Sequence, residues 1–268
     1  MENKNEYQAE LFSNRLKKKY KELRKWARKN RISCYRLYDR DIPEIPLSLD
    51  IYEFLPEEIH NSRQCKAFMD EQTERISAND PNVEKEIEKR RYAVLYLYER
   101  PYQKDPEEEE IWFDLMKTRA SEVLNIPEEH IVKKERKQQK GLSQYEKKYT
   151  TNSIKGNVQE QTQIFKIDLS TYLDTGLFFD HRPLRSVVRE TSEGKRVLNL
   201  FCYTGSFSVY AAQGNASYVE SVDLSNTYLA WAKDNMKLNG FTDKKKYDFT
   251  RADCQVFLQE KAVAAKGG

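Results

Sequence analysis

The residues best placed for chemistry follow two apolar runs in the last third of the chain. Residues 197–201 lead into a tight turn at Thr204 and Gly205, and residues 218–222 end on Asp223. A glycine after a strand lets the backbone approach a ligand closely, and a carboxylate at the tip of the next strand can accept hydrogen bonds from ribose hydroxyls. This β-loop-α-β pattern predicts a site for a nucleoside cofactor and therefore an enzyme.

The glycine pattern argues against a nicotinamide or flavin cofactor, because a dinucleotide site needs G-x-G-x-x-G and this loop has only Gly205. S-adenosylmethionine, a nucleoside without a pyrophosphate, fits better. Asp223 either binds its ribose or caps the helix that begins near Ser225. Asp253, at the end of a third strand, either accepts from the adenine amino group or caps the next helix. Asn199 is either a polar residue in a buried strand or a contact near the methionine end.

Cysteine and histidine usage favours a reduced, cytoplasmic protein without a zinc site. The four cysteines include no CxxC pair, and the three histidines are scattered. Cys202 and Cys254 are interpreted as small packing residues rather than as nucleophiles. No apolar run is long enough to cross a bilayer, and the charged N-terminus does not resemble a secretory signal.

The order of the predicted elements separates two domains. Residues 1–155 mix strands and helices, which predicts an α+β domain, whereas residues 156–268 alternate strand and helix, which predicts a two-layered parallel α/β sheet. Residues 56–91 are highly charged and poor in core material, so we interpret them as an insertion of one or two exposed helices. The polar first ten residues are predicted to fray.

Clustered cations mark two segments of the predicted α+β domain. A helix predicted over residues 11–30 has an almost purely basic face, which is either solvated or bound to a polyanion. Residues 132–149 form either a flexible basic loop or a segment that contacts RNA, with a tyrosine stacked on an unpaired base. The residues that we assign to an RNA surface are Lys18, Arg24, Lys25, Arg28, Lys134, Arg136, Lys137, Lys140 and Tyr145.

Several longer segments together carry a family resemblance over nearly the whole chain. They are NRLKKKYKELRKWARKNRISCYRLYDRDIPE, ERKQQKGLSQYEKK, YLDTGLFFDHR, LNLFCYTGSFSVYAA, SVDLSNTYLAWAKDNMKLNG and ADCQVFL. On these segments the chain resembles the RlmK-type class I S-adenosylmethionine-dependent 23S rRNA methyltransferases, the guanine-N7 half of the bifunctional bacterial RlmKL enzyme. It is also similar to the RlmI-type cytosine-C5 enzymes. Residues 56–91 look like an insertion relative to that family.

The resemblance implies a Rossmann-like class I methyltransferase domain preceded by a smaller α+β RNA-binding domain. It implies S-adenosylmethionine as cofactor, 23S rRNA as partner, and a possible second methyltransferase unit fused to or associated with the chain. Asp180, His181 and Arg182 would lie over the cofactor, while Thr204, Gly205, Asp223 and Asp253 would bind it. With their neighbours, the residues assigned to the cofactor site are Phe179, Asp180, His181, Arg182, Asn199, Phe201, Tyr203, Thr204, Gly205, Asp223, Leu224, Asp253 and Cys254.

The chain departs from the family at its end. The family carries a D-P-P motif on a fourth strand, beside the methyl group and the target base, and this chain stops at Gly268, about where that strand is expected. We therefore expect an incomplete sheet with residues 197–201 as an open apolar edge, and a chain that is not catalytically competent alone. No catalytic residue is assigned within the 268 residues.

The chemistry expected for guanine N7 is simple, because its lone pair can take the methyl group without prior deprotonation. Cytosine C5 would need a cysteine adduct, and the relevant cysteine is expected beyond Gly268. The competing hypothesis from another class is a non-catalytic module that binds RNA or S-adenosylmethionine. A nicotinamide oxidoreductase is disfavoured by the missing glycines.

Overall fold

The computed structural model describes residues 2–100, 104–136 and 153–266. Its helices are α1 (Glu2–Lys29), α2 (Ser62–Ser77), α3 (Pro81–Lys89), α4 (Pro106–Leu124), α5 (Arg182–Thr191), α6 (Ser206–Gln213), α7 (Asn226–Leu238) and α8 (Cys254–Lys266). Its strands are β1 (Cys34–Asp39), β2 (Leu47–Glu53), β3 (Arg91–Tyr98), β4 (Ile131–Arg136), β5 (Lys155–Glu160), β6 (Gln163–Asp168), β7 (Arg196–Leu200), β8 (Tyr218–Asp223) and β9 (Tyr247–Arg251). A 3₁₀ turn covers Glu128–His130.

Two units divide the chain. The first consists of Met1–Glu58, Ala67–Gln161 and Asp168–Thr175, and the second of Ile59–Lys66, Thr162–Ile167 and Gly176–Gly268. No helix in the described parts of the chain is both long and apolar enough to cross a lipid bilayer.

The first unit is built on a four-stranded sheet in the order β1-β2-β3-β4, in which only the β3–β4 pair is parallel. α1 and α4 pack together, and their apolar faces share one core with the sheet. α4 has a well-defined start. Asp105 caps this helix by accepting hydrogen bonds from the N–H groups of Glu107 and Glu108, and Pro106 occupies its first turn.

The prediction that the first ten residues fray is wrong, because α1 begins at Glu2. Ala9 is fully buried, and the indole Nε1 of Trp112 donates a 2.8 Å hydrogen bond to Oε1 of Gln8. These contacts with α4 hold the first turns of the helix in place. The polar composition of the segment therefore does not keep it from packing on α4, since Gln8 itself supplies one of the contacts.

The charged segment 56–91 contains two helices, as predicted, but they are not wholly exposed. Val83 and Ile87 of α3 are buried, and Glu84 of the same helix lies beside Arg91. The Arg91 side chain is itself fully buried, and its guanidinium donates to Glu53 Oε1 at 3.0 Å and to Glu84 Oε1 at 2.9 Å. α3 therefore supplies both apolar surface and a counter-charge to the first unit.

The second unit contains a parallel sheet in the order β7-β8-β9, which confirms the predicted alternation of strand and helix. Leu200 is in register with Val222, and Val222 with Thr250, so the carboxyl ends of the three strands meet at one edge. Among the described strands β7 pairs with β8 alone, and Leu198 is 44% exposed, so β7 forms the open apolar edge expected for residues 197–201.

Candidate functional site

The loop after β7 has an unusual backbone. Phe201 and Tyr203 have φ angles of 52° and 50°, in the left-handed region that non-glycine residues rarely adopt, and Gly205 follows at 72°. The Cys202 N–H donates to Val222 O at 2.9 Å, and the Gly205 N–H donates to Cys202 O at 2.8 Å. Backbone strain of this kind costs free energy and concentrates at functional sites, so this loop is the first candidate for ligand binding.

Asp223 connects this loop to the end of β8. One carboxylate oxygen accepts the Tyr203 N–H and the other accepts the Ser225 N–H, both at 2.9 Å, and the residue is only 7% exposed. Ser225 is itself the N-cap of α7, because its hydroxyl accepts the Tyr228 N–H, so Asp223 does not cap this helix. A carboxylate oxygen can accept more than one hydrogen bond, which leaves acceptor capacity on both oxygens of Asp223.

Thr204 and Gly205 are fixed by neighbouring elements. The Thr204 hydroxyl donates to Gly176 O at 2.6 Å, and the Asn235 amide donates to Thr204 O at 2.8 Å. A Cβ atom on Gly205 would lie 2.7 Å from the Cβ of Ala232 on α7. Glycine is therefore required here both by the backbone conformation and by the close approach of α7.

Asn199 belongs to a polar chain behind the loop. Its side-chain amide donates to the Ser208 hydroxyl at 2.9 Å, and the hydroxyls of Ser208 and Ser221 share a hydrogen bond at 2.7 Å. These hydrogen bonds account for a polar residue on β7 without any ligand, which was one of the two interpretations of Asn199. A contact between Asn199 and a cofactor stays a prediction.

Asp253 stands at the start of α8 and caps it. Its Oδ1 accepts the N–H groups of Gln255 and Val256 at 2.9 and 3.1 Å. Capping is therefore one function of this side chain. The described residues place no partner on Oδ2, so the adenine contact stays a prediction for that oxygen.

The two cysteines near the loop pack and do not carry the environment of a nucleophile. Burial, together with the nearby Asp223 carboxylate, raises the pKa of the Cys202 thiol well above its usual range. Cys254 is buried beside Val222, and its Sγ accepts the Phe201 N–H at 3.3 Å. Across the described ranges, no group of three histidine, cysteine or acidic side chains is placed to hold a metal ion.

An aromatic cluster brings the segment before α5 to the same loop. The ring of Phe178 lies 5.3 Å from that of Tyr203, and the ring of His181 lies 5.8 Å from that of Phe207. The Tyr228 ring packs edge-on against Tyr203 at 4.6 Å. The sequence placed His181 here only through the family resemblance. It gave no indication of Tyr228 on α7, and the one signal for Phe178 is an aromatic residue two positions after Gly176.

Around these rings, Asp180 is exposed and the Arg182 guanidinium lies 5.6 Å from the Phe179 ring. At the edge where the strands end, Phe201 is 74% exposed and Leu224 is 51% exposed. A buried carboxylate with spare acceptor capacity beside exposed apolar side chains suits a nucleoside, which combines ribose hydroxyls with an apolar base. The residues present therefore fit a nucleoside cofactor at the carboxyl ends of β7 and β8.

The predicted RNA-contacting cations divide into two groups. Arg24 and Arg28 both pair with Glu84, the former at 3.3 Å. Lys134 is 6% exposed and donates to Tyr172 O and Leu173 O. Arg136 donates to Asp174 at 2.8 Å and lies over the Tyr96 ring. These four residues serve the packing of the first unit, and we leave them out of the RNA surface.

Lys18 and Lys25, the two other cations of α1 that were assigned to the RNA surface, are exposed. Lys18 and Lys25 share one stripe of the helix with Lys21 and Lys29, which recur every three or four residues. No acid in the described parts of the chain pairs with any of these four lysines. We name Lys18, Lys21, Lys25 and Lys29 the lysine stripe. Lys137, Lys140 and Tyr145 lie outside the described residues.

Comparisons with known proteins bear on this site. A family model described as S-adenosylmethionine-dependent methyltransferase matches residues 118–254, slightly more than half of the chain. A ribosomal RNA large subunit methyltransferase K/L of Magnetococcus marinus is 37% identical over 93% of this chain and 29% of its own length. A ribosomal RNA large subunit methyltransferase K of Neisseria meningitidis serogroup B is 41% identical over 92% of this chain and 59% of its own. The chain thus spans less than two thirds of both relatives.

Solved structures share the fold at low sequence identity. A proposed S-adenosylmethionine-dependent methyltransferase from Streptococcus mutans has a TM-score of 0.64 at 17% identity, over 96% of this chain and 56% of its own. Another proposed methyltransferase, solved in complex with SAH, has a TM-score of 0.62 at 17% identity. The match covers 96% of this chain and 55% of the other chain.

Proposed function

Because the chain belongs to the family of S-adenosylmethionine-dependent methyltransferases, we propose that its second unit binds this cofactor where β7, β8 and β9 end, and that the protein methylates ribosomal RNA. The observation that carries the proposal is the Asp223 carboxylate. It is buried, it joins the loop after β7 to the start of α7, and it keeps acceptor capacity on both oxygens.

Each part of the cofactor has a candidate partner. Asp223 accepts the ribose hydroxyls, and Asp253 accepts the adenine amino group through Oδ2. Phe201 and Leu224 offer exposed apolar surface for the adenine ring. The strained loop, which Thr204 and Gly205 hold against α7, brings backbone groups close to the nucleoside. The remaining residues assigned to the cofactor site keep the same predicted role.

The substrate part of the proposal follows the relatives, which are named ribosomal RNA large subunit methyltransferases. We propose 23S rRNA as the substrate and guanine N7 as the methylated atom. S-adenosylmethionine supplies the methyl group when it is bound. The N7 lone pair forms a bond to the methyl carbon while the carbon–sulfur bond breaks and its electron pair passes to sulfur. N7 carries no proton, so the protein's part is to bind, orient and desolvate the reactants.

Guanine N7 is preferred to cytosine C5 because of the family resemblance, which assigns the cysteine nucleophile of C5 methylation to neither Cys202 nor Cys254. Cys202 is buried, and its pKa is raised. We include association with a second methyltransferase unit in the proposal, because the K/L relatives are more than three times as long as the matched part. A protein that modifies ribosomal RNA would work in the cytoplasm.

Replacing Asp223 with asparagine is expected to weaken S-adenosylmethionine binding roughly 10- to 100-fold, because hydrogen bonds to a charged group contribute about 1.5–3 kcal/mol. Calorimetric titration measures the change. Asp234→Asn is the matched control, since this carboxylate on α7 is half exposed and pairs with Lys166. Equal affinities for Asp223→Asn and the wild-type protein, with both folded by circular dichroism, would rule out the ribose assignment.

Charge reversal of Lys18, Lys21 and Lys25 to glutamate is expected to weaken binding to transcribed 23S rRNA and to reduce its salt dependence. Each lost phosphate contact lowers the slope of log K against log salt by roughly 0.7–0.9. The control reverses Lys244, Lys245 and Lys246, three exposed lysines of the second unit, with the same change in net charge. Filter binding at several salt concentrations compares them. Equal losses in both triple variants would show that the lysine stripe is not an RNA surface.

A further inference from the structure

A second concave site lies in the second unit, away from the ends of the strands. It is an open groove of about 310 Å³. The lining residues that carry charge, hydrogen-bonding groups or an aromatic ring for a ligand include Arg63, Lys66, Thr162, Gln163, Gln213 and Phe241. Gln213 and Phe241 lie at or just beyond the C-terminal ends of α6 and α7, whereas Gly205 and Ser225 stand at the N-terminal ends of the same helices. The groove is therefore separate from the proposed cofactor site.

Two amide groups in the groove have unused acceptors. The Nε2 atoms of Gln163 and Gln213 both donate to the Thr162 hydroxyl, at 2.9 and 2.5 Å. The Oε1 atoms of both glutamines are buried and have no hydrogen-bond partner among the described residues, and Gln163 as a whole is only 2% exposed. A buried acceptor without a partner is unfavourable, so these two oxygens call for N–H or O–H donors from a ligand.

The opposite wall of the groove is suited to an anion. Arg63 and Lys66 are exposed, and no acid in the described parts of the chain pairs with either of them. Both belong to the first turns of α2, whose first turn contains no acidic residue. The Asn61 side chain caps the Gln64 N–H, and the dipole at the N-terminus of α2 adds to the attraction for a phosphate. Phe241 contributes an aromatic ring, which packs edge-on against Tyr247 at 5.7 Å.

We propose that this groove binds one nucleotide of single-stranded RNA, as a subsite separate from the methyl-transfer site. Arg63 and Lys66 hold the phosphate, the two glutamine oxygens accept hydrogen bonds from N–H groups on the base edge, and Phe241 offers a ring for stacking. A nucleotide combines an anion, N–H donors and a flat ring in about the volume of the groove. The inference rests on the proposed RNA substrate, and it gives the start of the charged segment 56–91 a function.

The test measures binding of a fluorescein-labelled 12-nucleotide single-stranded RNA to the full chain by fluorescence anisotropy. Arg63→Glu with Lys66→Glu is expected to weaken binding at least 10-fold. Lys85→Glu with Lys89→Glu, a matched reversal at two exposed lysines of α3, is expected to change it less than 2-fold. Gln213→Met, which removes the amide and keeps the chain length, is expected to weaken binding 3- to 10-fold. Equal losses in the two double variants would overturn the proposal.

Competition separates a nucleotide from a bare phosphate. Guanosine monophosphate is expected to displace the labelled RNA at a concentration at least 10-fold lower than inorganic phosphate, and Gln213→Met should narrow that difference. Equal potency of the two competitors would mean that the base is not recognised, which overturns the proposal. Calorimetry with S-adenosylmethionine runs in parallel on every variant. A variant that loses RNA binding but keeps its affinity for S-adenosylmethionine is altered in the groove alone. If the wild-type protein does not bind S-adenosylmethionine, it is the proposed function that is wrong.

Discussion

Gly205→Ala is expected to reduce S-adenosylmethionine affinity at least 30-fold and to destabilise the second unit by roughly 2–4 kcal/mol, the sum of a left-handed backbone penalty and overpacking. The new Cβ would lie 2.7 Å from the Cβ of Ala232 and 3.2 Å from its Cα. Either the loop or α7 has to move. Because the loop is bonded to Asp223 through the Tyr203 N–H, movement would misplace the proposed ribose acceptor.

Gly194→Ala is the matched control for this change. Gly194 has a φ of 69°, close to the 72° of Gly205, and a Cβ at this position would meet nothing within 4 Å. It isolates the backbone penalty from the contact with α7. Calorimetry with S-adenosylmethionine and denaturant unfolding compare the two variants. If both lose the same stability and neither loses affinity, the packing of Gly205 against Ala232 does not position the site.

Arg91→Met is expected to destabilise the first unit by roughly 3–5 kcal/mol, the usual cost of leaving a buried charge without its partner. The Arg91 guanidinium donates to Glu53, to Glu84 and to Leu124 O at 3.1 Å, and it lies over the Tyr20 ring. The substitution leaves two carboxylates and one carbonyl with fewer donors. Urea unfolding followed by tryptophan fluorescence measures the loss, since Trp112 is buried in the same unit.

The control and the pH dependence sharpen this prediction. Arg75→Met breaks an exposed cluster with Asp80 and Glu86 and should change stability little.

Burial acts to raise the pKa of Glu84, but hydrogen bonds from Arg91 and Arg28 outweigh it and hold the pKa below its usual 4.5. The stability that this carboxylate contributes is complete above pH 4.5 and is lost as the pH falls through the lowered value. Arg91→Met should lose less stability over that interval than the wild-type protein; an identical acid profile would contradict the pairing.

Local patterns predicted the second unit well. The alternation of strands and helices and the position of Asp223 at the tip of β8 follow from short-range periodicity and turn chemistry. The hydrogen bond from the Tyr203 N–H to Asp223 could not be predicted from such local patterns. It depends on two neighbouring strands meeting with their carboxyl ends level, and on a left-handed backbone at a tyrosine, which no propensity favours.

The basic residues show where sequence reasoning fails. Counting cations along α1 treats Arg24, Lys25 and Arg28 alike, yet the two arginines pair with Glu84 and the lysine does not. Glu84 lies 56 positions after Arg28, so the pairing depends on the tertiary fold. Lys134 is a second example. It belongs to a basic run in the sequence, but its ammonium group is buried and donates to Tyr172 O and Leu173 O. Charge composition predicts a surface only after the long-range ion pairs are known.

The long reach of α1 has a consequence for synthesis. This helix leaves the ribosome before α4, but its apolar residues, including Phe12 and Leu16, share a core with Trp112, and Gln8 is separated from Trp112 by 104 positions. At usual rates of translation the ribosome needs roughly 5–20 s to add that many residues. During this interval the apolar face of α1 lacks its contacts with α4, although Phe12 can already pack against Tyr38 of β1. The part of this face that α4 later covers is therefore open to aggregation during synthesis, and a chaperone could act on it until α4 emerges.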